Sequence, residues 1–223
     1  MKIKEAHILA EDWTIFVLLF SLSLLAYIRF KRPLKLQRLG DAIQNTRMVK
    51  QIMRDDNLIG NRFSFFMALN FCLMLALSIY FALKVFADGF FEQYNFHLFW
   101  IIAIGIFAIY FIKSLLLSIA DNLFNKDYGF EEYLRNVFIF NGALGLLLLP
   151  LNFLLAFLHI QFAQWMLILI FAFVLLCLTF RLYRGLLIGN ENHSQSQYLF
   201  LYLCTLEILP TAVIIKKAVT III

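Results

Sequence analysis

Six apolar runs, Trp13 to Phe30, Phe63 to Ala87, Leu98 to Ala120, Val137 to His159, Trp165 to Gly189 and Tyr198 to Ile215, constrain this chain more than any other feature. A helix of about 20 apolar residues crosses roughly 30 Å of hydrocarbon, so each run has the length of a transmembrane helix. The runs are apolar on all sides, which excludes barrel strands, whose alternation has a period of two over about 10 residues. Composition agrees, with 63% hydrophobic and 15% charged residues and a mean hydropathy of +0.84. A soluble domain is about a quarter charged. Twenty-six Phe suit lipid-facing surfaces, and three Pro and nine Gly leave little material for a loop-rich or all-β design. The expected fold is an all-α integral membrane bundle of about six transmembrane helices, in one domain over residues 1–223.

Charge sets the expected orientation. Glu11-Asp12 precedes the first run and Lys31-Arg32-Pro33 follows it, the reverse of a secretory signal, and no small-residue cleavage site comes after it. The first run therefore reads as a retained helix with its N-terminus outside. Lys31 to Arg62 carries eight basic and three acidic residues, 8 − 3 = +5, which places that loop in the cytoplasm. Asp88 to His97 has two acids and no Lys or Arg, and Ile160 to Gln164 is uncharged, so both suit the outer side. Arg181 and Arg184 fit the inner side, Lys126 and Arg135 support it weakly, and Lys84, Lys216 and Lys217 oppose the rule. The result is N-out and C-out. The net charge of +5 does not indicate nucleic acid, because the basic residues flank apolar runs instead of forming one basic face. In the basic loop, Met48, Val49, Ile52 and Met53 recur at helical spacing, with Arg47, Lys50, Gln51 and Arg54 on other faces. This short amphipathic helix suits the anionic inner leaflet or a soluble partner. The apolar tail Ala218 to Ile223 is expected either to fold back or to dock in an assembly.

Ionisable groups inside a span are costly and are the default functional candidates. Lys113 lies in the third run and Glu207 in the sixth, both toward the inner side, and they can meet. Tyr110, Lys113, Ser114 and Ser118 share one helix face, a polar stripe to turn inward. Lys113 can also snorkel to the headgroups. Glu207 needs a partner such as Lys113 or Arg181, a wet cavity, or a proton. The readings left open for it are a structural ion pair or hydrogen bond, a proton- or ion-coupling role, and catalysis. Pro210 deprives the carbonyl of Leu206 of its intrahelical bond, so a kink is expected beside Glu207.

The fourth run carries Asn141, Gly145 and Asn152 on one face, which suits close packing and interhelical hydrogen bonds. Pro150 frees the carbonyl of Leu146, a candidate acceptor for Asn152 or a water. Cys72, Cys177 and Cys204 lie inside runs with no CxxC pair, and read as buried free thiols. His7, His97, His159 and His193 are scattered, and no HExxH, GxSxG or P-loop is present. Asp55-Asp56 lacks the second acidic cluster that a Mg²⁺ site would need. No catalytic residue, cofactor or metal site is expected.

The stretch Tyr202-Leu203-Cys204-Thr205-Leu206-Glu207-Ile208-Leu209-Pro210, together with Arg135-Asn136-Val137-Phe138-Ile139-Phe140-Asn141 and Pro150, resembles an uncharacterised family of multi-span bacterial inner-membrane proteins, a domain of unknown function. The resemblance implies an inner-membrane location and brings no activity. Three functional readings stand on the sequence. The first is a non-enzymatic scaffold or accessory subunit of an inner-membrane assembly, with lipids and other membrane proteins or further copies of the chain as partners. The second is a small ion- or proton-coupled transporter using Glu207 and Lys113. The third is a lipid-modifying enzyme, which would need polar groups converging at a leaflet boundary; Arg181, Arg184, Lys113 and Asn141 lie toward the inner leaflet, where a site for an anionic headgroup is conceivable.

Overall fold

The computed structural model describes residues 11–31, 36, 62–86, 95–123 and 130–191. These form five long helices: α1 Asp12–Lys31, α2 Arg62–Phe86, α3 Asn95–Leu123, α4 Phe130–Phe157 and α5 Ile160–Glu191. All five are long and apolar enough to cross a membrane. Each overlies one of the first five apolar runs. The sixth run, with Glu207 and Pro210, and the amphipathic segment Arg47 to Arg54 lie outside the described residues.

Helical backbone satisfies its own polar groups, which is why apolar runs of this length adopt it in hydrocarbon. Two helix starts diverge most from the sequence reading. α4 begins at Phe130 rather than Val137, so Arg135 and Asn136 belong to a helix and not to a connection. α5 begins at Ile160, which leaves Leu158 and His159 as the turn; the His159 carbonyl accepts from the amides of Phe162 (2.9 Å) and Ala163 (3.0 Å). Pro150 sits inside α4 on its exposed side, and the helix runs through it.

Neighbouring helices run antiparallel, as the packing shows. Leu24 and Ile28, late in α1, cluster with Met67, early in α2, and with Ile139 and Ala143 of α4. Leu117, late in α3, packs with Tyr133, Leu134 and Val137, early in α4, and with Leu182, late in α5. The bundle thus has an α1-start end and an opposite end where α1, α3 and α5 finish. The largest core joins Met74, Leu77 and Phe81 of α2 to Leu148 and Leu155 of α4 and Leu167 and Ile170 of α5. α2 and α4 are the central pair: 61% and 56% of their spans are buried, against 11% for α3. In lipid such packing rests on van der Waals fit and polar contacts more than on the hydrophobic effect.

That fit is closest at Gly145. A Cβ there would come within 2.8 Å of the Phe71 Cα and 3.1 Å of the Asn70 Nδ2, so α4 touches the α2 backbone where only glycine allows it.

Candidate functional site

Most polar side chains of the interior bond from one helix to another. On the α2–α4 seam, Asn152 Nδ2 donates to the Met74 carbonyl at 2.8 Å. The Ser78 hydroxyl lies 2.9 Å from Asn152 Oδ1 and 3.0 Å from the same carbonyl, and has one hydrogen to share between them. Asn152 therefore takes its acceptor from α2 and not from the carbonyl that Pro150 frees. Between α1 and α2, the buried Ser21 hydroxyl donates to Asn70 Oδ1.

At the α1-start end, Glu11 anchors a second network. Glu11 Oε1 accepts from Lys84 Nζ at 2.6 Å and from the Tyr80 hydroxyl at 3.1 Å, while Oε2 accepts from Trp13 Nε1 at 2.6 Å. The Trp13 ring meets Tyr80 at 5.0 Å, Phe99 at 5.1 Å and Phe96 at 5.7 Å, within the range where aromatic pairs attract. Partial burial pushes the Glu11 carboxyl upward; the Lys84 and Trp13 hydrogen bonds, the Lys84 charge and the Tyr80 hydroxyl outweigh it and hold the group below its ordinary pKa. Lys84, which runs against the charge rule in the sequence, is thus paired with Glu11.

The opposite end is basic. Arg135, Arg181 and Arg184 are each only 4% exposed. Arg181 and Arg184, three residues apart on α5, share a face turned to α4. Arg181 Nη1 donates to Asn141 Oδ1 at 3.0 Å, and the Arg184 guanidinium lies over the Phe140 ring, 5.7 Å from its centre. Asn141 also borders a cavity of about 40 Å³ between α2, α3 and α4, lined with Phe71, Cys72, Tyr110, Lys113 and Ser114 among others. Tyr110, Lys113 and Ser114 are half-buried there, and Tyr110 stands edge-on to Phe71 at 5.2 Å. Nearby on α4, Asn136 is fully buried, and neither atom of its amide has a hydrogen-bond partner among the described residues.

Of the sequence candidates, Lys113 and Asn141 line this cavity, and Arg181 reaches Asn141 from α5. Asn152 stands apart, three turns further along α4 on the Ser78 seam. Glu207 and Pro210 lie outside the described residues. Sequence reasoning passed over Ser21, Asn70 and Ser78, small polar residues inside spans whose cost in hydrocarbon was the available signal. It also placed Arg135 and Asn136 in a connection. Continuing the helical phase of the fourth run back to Phe130 would have found them. Among the described residues no group of three His, Cys, Asp or Glu is placed to hold a metal ion. Cys72 and Cys177 are free thiols.

Five apolar helices long enough to cross a membrane, joined through interior amides, hydroxyls and arginines, fit a polytopic helical membrane protein. The family described as a domain of unknown function, DUF4271, matches residues 14–217, and the chain belongs to it. No curated protein and no solved structure matches the chain.

Proposed function

We infer that the protein is a non-enzymatic scaffold or accessory subunit of a bacterial inner-membrane assembly, with six spans and both termini outside. The observation that carries this reading is how the central polar groups are used. Asn152, Ser78, Ser21 and the amide oxygen of Asn70 are committed to helix-to-helix bonds, so the middle of the bundle is a packed frame. The faces left over are broad and apolar: Ile101, Ile104 and Ile112 on α3 and Trp165, Ile168 and Leu175 on α5 all point outward. Orientation is supported by charge. Among the described residues, Arg29, Lys31, Arg62, Lys113, Arg135, Arg181 and Arg184 lie toward one end, and Lys84, paired with Glu11, lies at the other.

The test is cross-linking in native membranes through photoreactive groups at Ile104 and Ile168, followed by gentle extraction and mass measurement. A subunit forms discrete adducts of defined mass, either with another membrane protein or with a second copy. A chain that cross-links only to lipid and runs as a monomer overturns the reading.

A further inference from the structure

We propose that two copies of the chain pair in the membrane, α1 of each lying along α4 of the other, with the Ser23 hydroxyl of one copy donating to the Leu146 carbonyl of the other. The inference rests on the accessory-subunit reading and names one partner for it, a second copy.

The first argument is a missing donor. A helix carbonyl points at the amide four residues on, and for Leu146 that residue is Pro150, which has no N–H. Pro150 lies on the exposed side of α4, so the carbonyl it leaves without an intrahelical bond opens on the lipid-facing flank of the bundle. Asn152, two residues beyond Pro150, is already engaged with Met74 and Ser78. Hydrocarbon offers no water, and freed backbone carbonyls of this kind are met by serine and threonine hydroxyls and by neighbouring helices.

The second argument is the pair of faces. Ala143, Leu147, Pro150 and Leu154 follow one another at i, i+4, i+7 and i+11 on α4. Ala143 packs in the cluster of Leu24 and Ile28 of α1, whereas Leu147, Pro150 and Leu154 are exposed. An uncovered apolar stripe therefore begins where the contact with α1 stops. A second stripe runs down α1, where Phe16, Phe20, Ser23, Tyr27 and Phe30 share one helical face and are all exposed. Ser23 is the small polar member at its centre. Its hydroxyl donates to the Phe20 carbonyl at 2.7 Å, and that carbonyl also faces the helix amide of Leu24. Turning the hydroxyl to a new acceptor strands nothing.

The third argument is depth. α4 finishes at the α1-start end of the bundle. Leu146 lies eleven residues before the last residue of α4, Phe157, and Ser23 eleven after the first residue of α1, Asp12. Both are about 16 Å from that end at the helical rise, so copies standing in the same orientation bring donor and acceptor to one level. A two-fold axis along the membrane normal makes the contact twice and closes the pair.

The experiment uses the full chain in native membranes, with its three cysteines replaced and two differently tagged copies expressed together. One copy carries Phe16→Cys and the other Leu154→Cys, each about two turns toward the α1-start end from the proposed bond. Oxidation is expected to give a disulfide-linked pair carrying both tags, and none when Ile168→Cys on α5 replaces Leu154→Cys. Ser23→Ala removes the donor, and Pro150→Leu returns an amide to the Leu146 carbonyl. Each should lower the yield of the mixed pair about threefold to tenfold, the weight of one interhelical hydrogen bond in lipid. Neither variant removes a packed side chain, so both are expected to fold. No link between Phe16→Cys and Leu154→Cys overturns the proposal, as does a link whose yield neither variant changes. A chain that fails this test but forms defined protein adducts through Ile104 or Ile168 overturns the pairing and leaves the subunit reading standing; lipid adducts alone overturn both.

Discussion

At the scale of single residues, the described polar groups divide into those that fasten helices and those that gather charge. Glu11 belongs to the first kind, and its depressed pKa carries a sign. A carboxyl held below its unfolded value contributes stability above that value and loses it as pH falls through the folded one. With an ordinary value of 4.5, the contribution is complete at neutral pH and fades as pH falls below that value. Glu11→Gln should lower thermal stability in detergent at pH 7 by up to about 1 kcal/mol, the scale of a partly exposed ion pair. The gap to the wild type should close in acid. A gap that is constant with pH would show that the carboxylate charge is not what holds Trp13, Tyr80 and Lys84 together. Asn152→Leu is a second residue-scale test. It strips the Met74 carbonyl and Ser78 of an interhelical partner and should cost about 0.6–2 kcal/mol in equilibrium unfolding. An unchanged midpoint would mean that the α2–α4 seam is held by shape alone.

At the scale of elements, the α2–α4 contact decides which glycine matters. Gly145→Ala places a methyl 2.8 Å from the Phe71 Cα, which neither backbone can accommodate without separating, so a loss of about 1–3 kcal/mol is expected. Gly105, on α3, has nothing within 4 Å of its would-be Cβ. Gly105→Ala should therefore be neutral or add up to about 1 kcal/mol through helix propensity. Denaturant unfolding of both variants measures the contrast, and similar effects at the two sites would refute the close approach at Gly145. The sequence made the elements legible because an apolar run of membrane length leaves a helix as the main way to satisfy the backbone. It also put Asn141, Gly145 and Asn152 on one face, since helical period is independent of what lies opposite. The partners were not legible: which of Ser78, Arg181 or a freed carbonyl an amide meets depends on how α2 and α5 rotate against α4. Helix ends were the weakest point, because charged residues such as Arg135 read as a connection even where α4 has already begun.

At the scale of the whole molecule, the asymmetry of charge between the two ends predicts orientation. In a chain with its three cysteines replaced, a cysteine at His97 should react with an impermeant maleimide added outside intact cells. One at Lys35 should react only after the membrane is opened. The reverse pattern would invert the proposed topology and with it the leaflet facing Arg181 and Arg184. A further consequence concerns time. Ser78 and Asn152 are 74 residues apart, so at about 5–20 residues per second of synthesis α2 exists for about 4–15 s before its partner on α4 is made. Ser21 is already present to receive Asn70, but Ser78 has no such neighbour ready. Its own Met74 carbonyl, 3.0 Å away, serves in the interval, and the same hydroxyl can turn to Asn152 once α4 arrives. The central helix of the bundle can therefore wait in lipid without a stranded polar group at Ser78, and the order of its bonds follows the order of its synthesis.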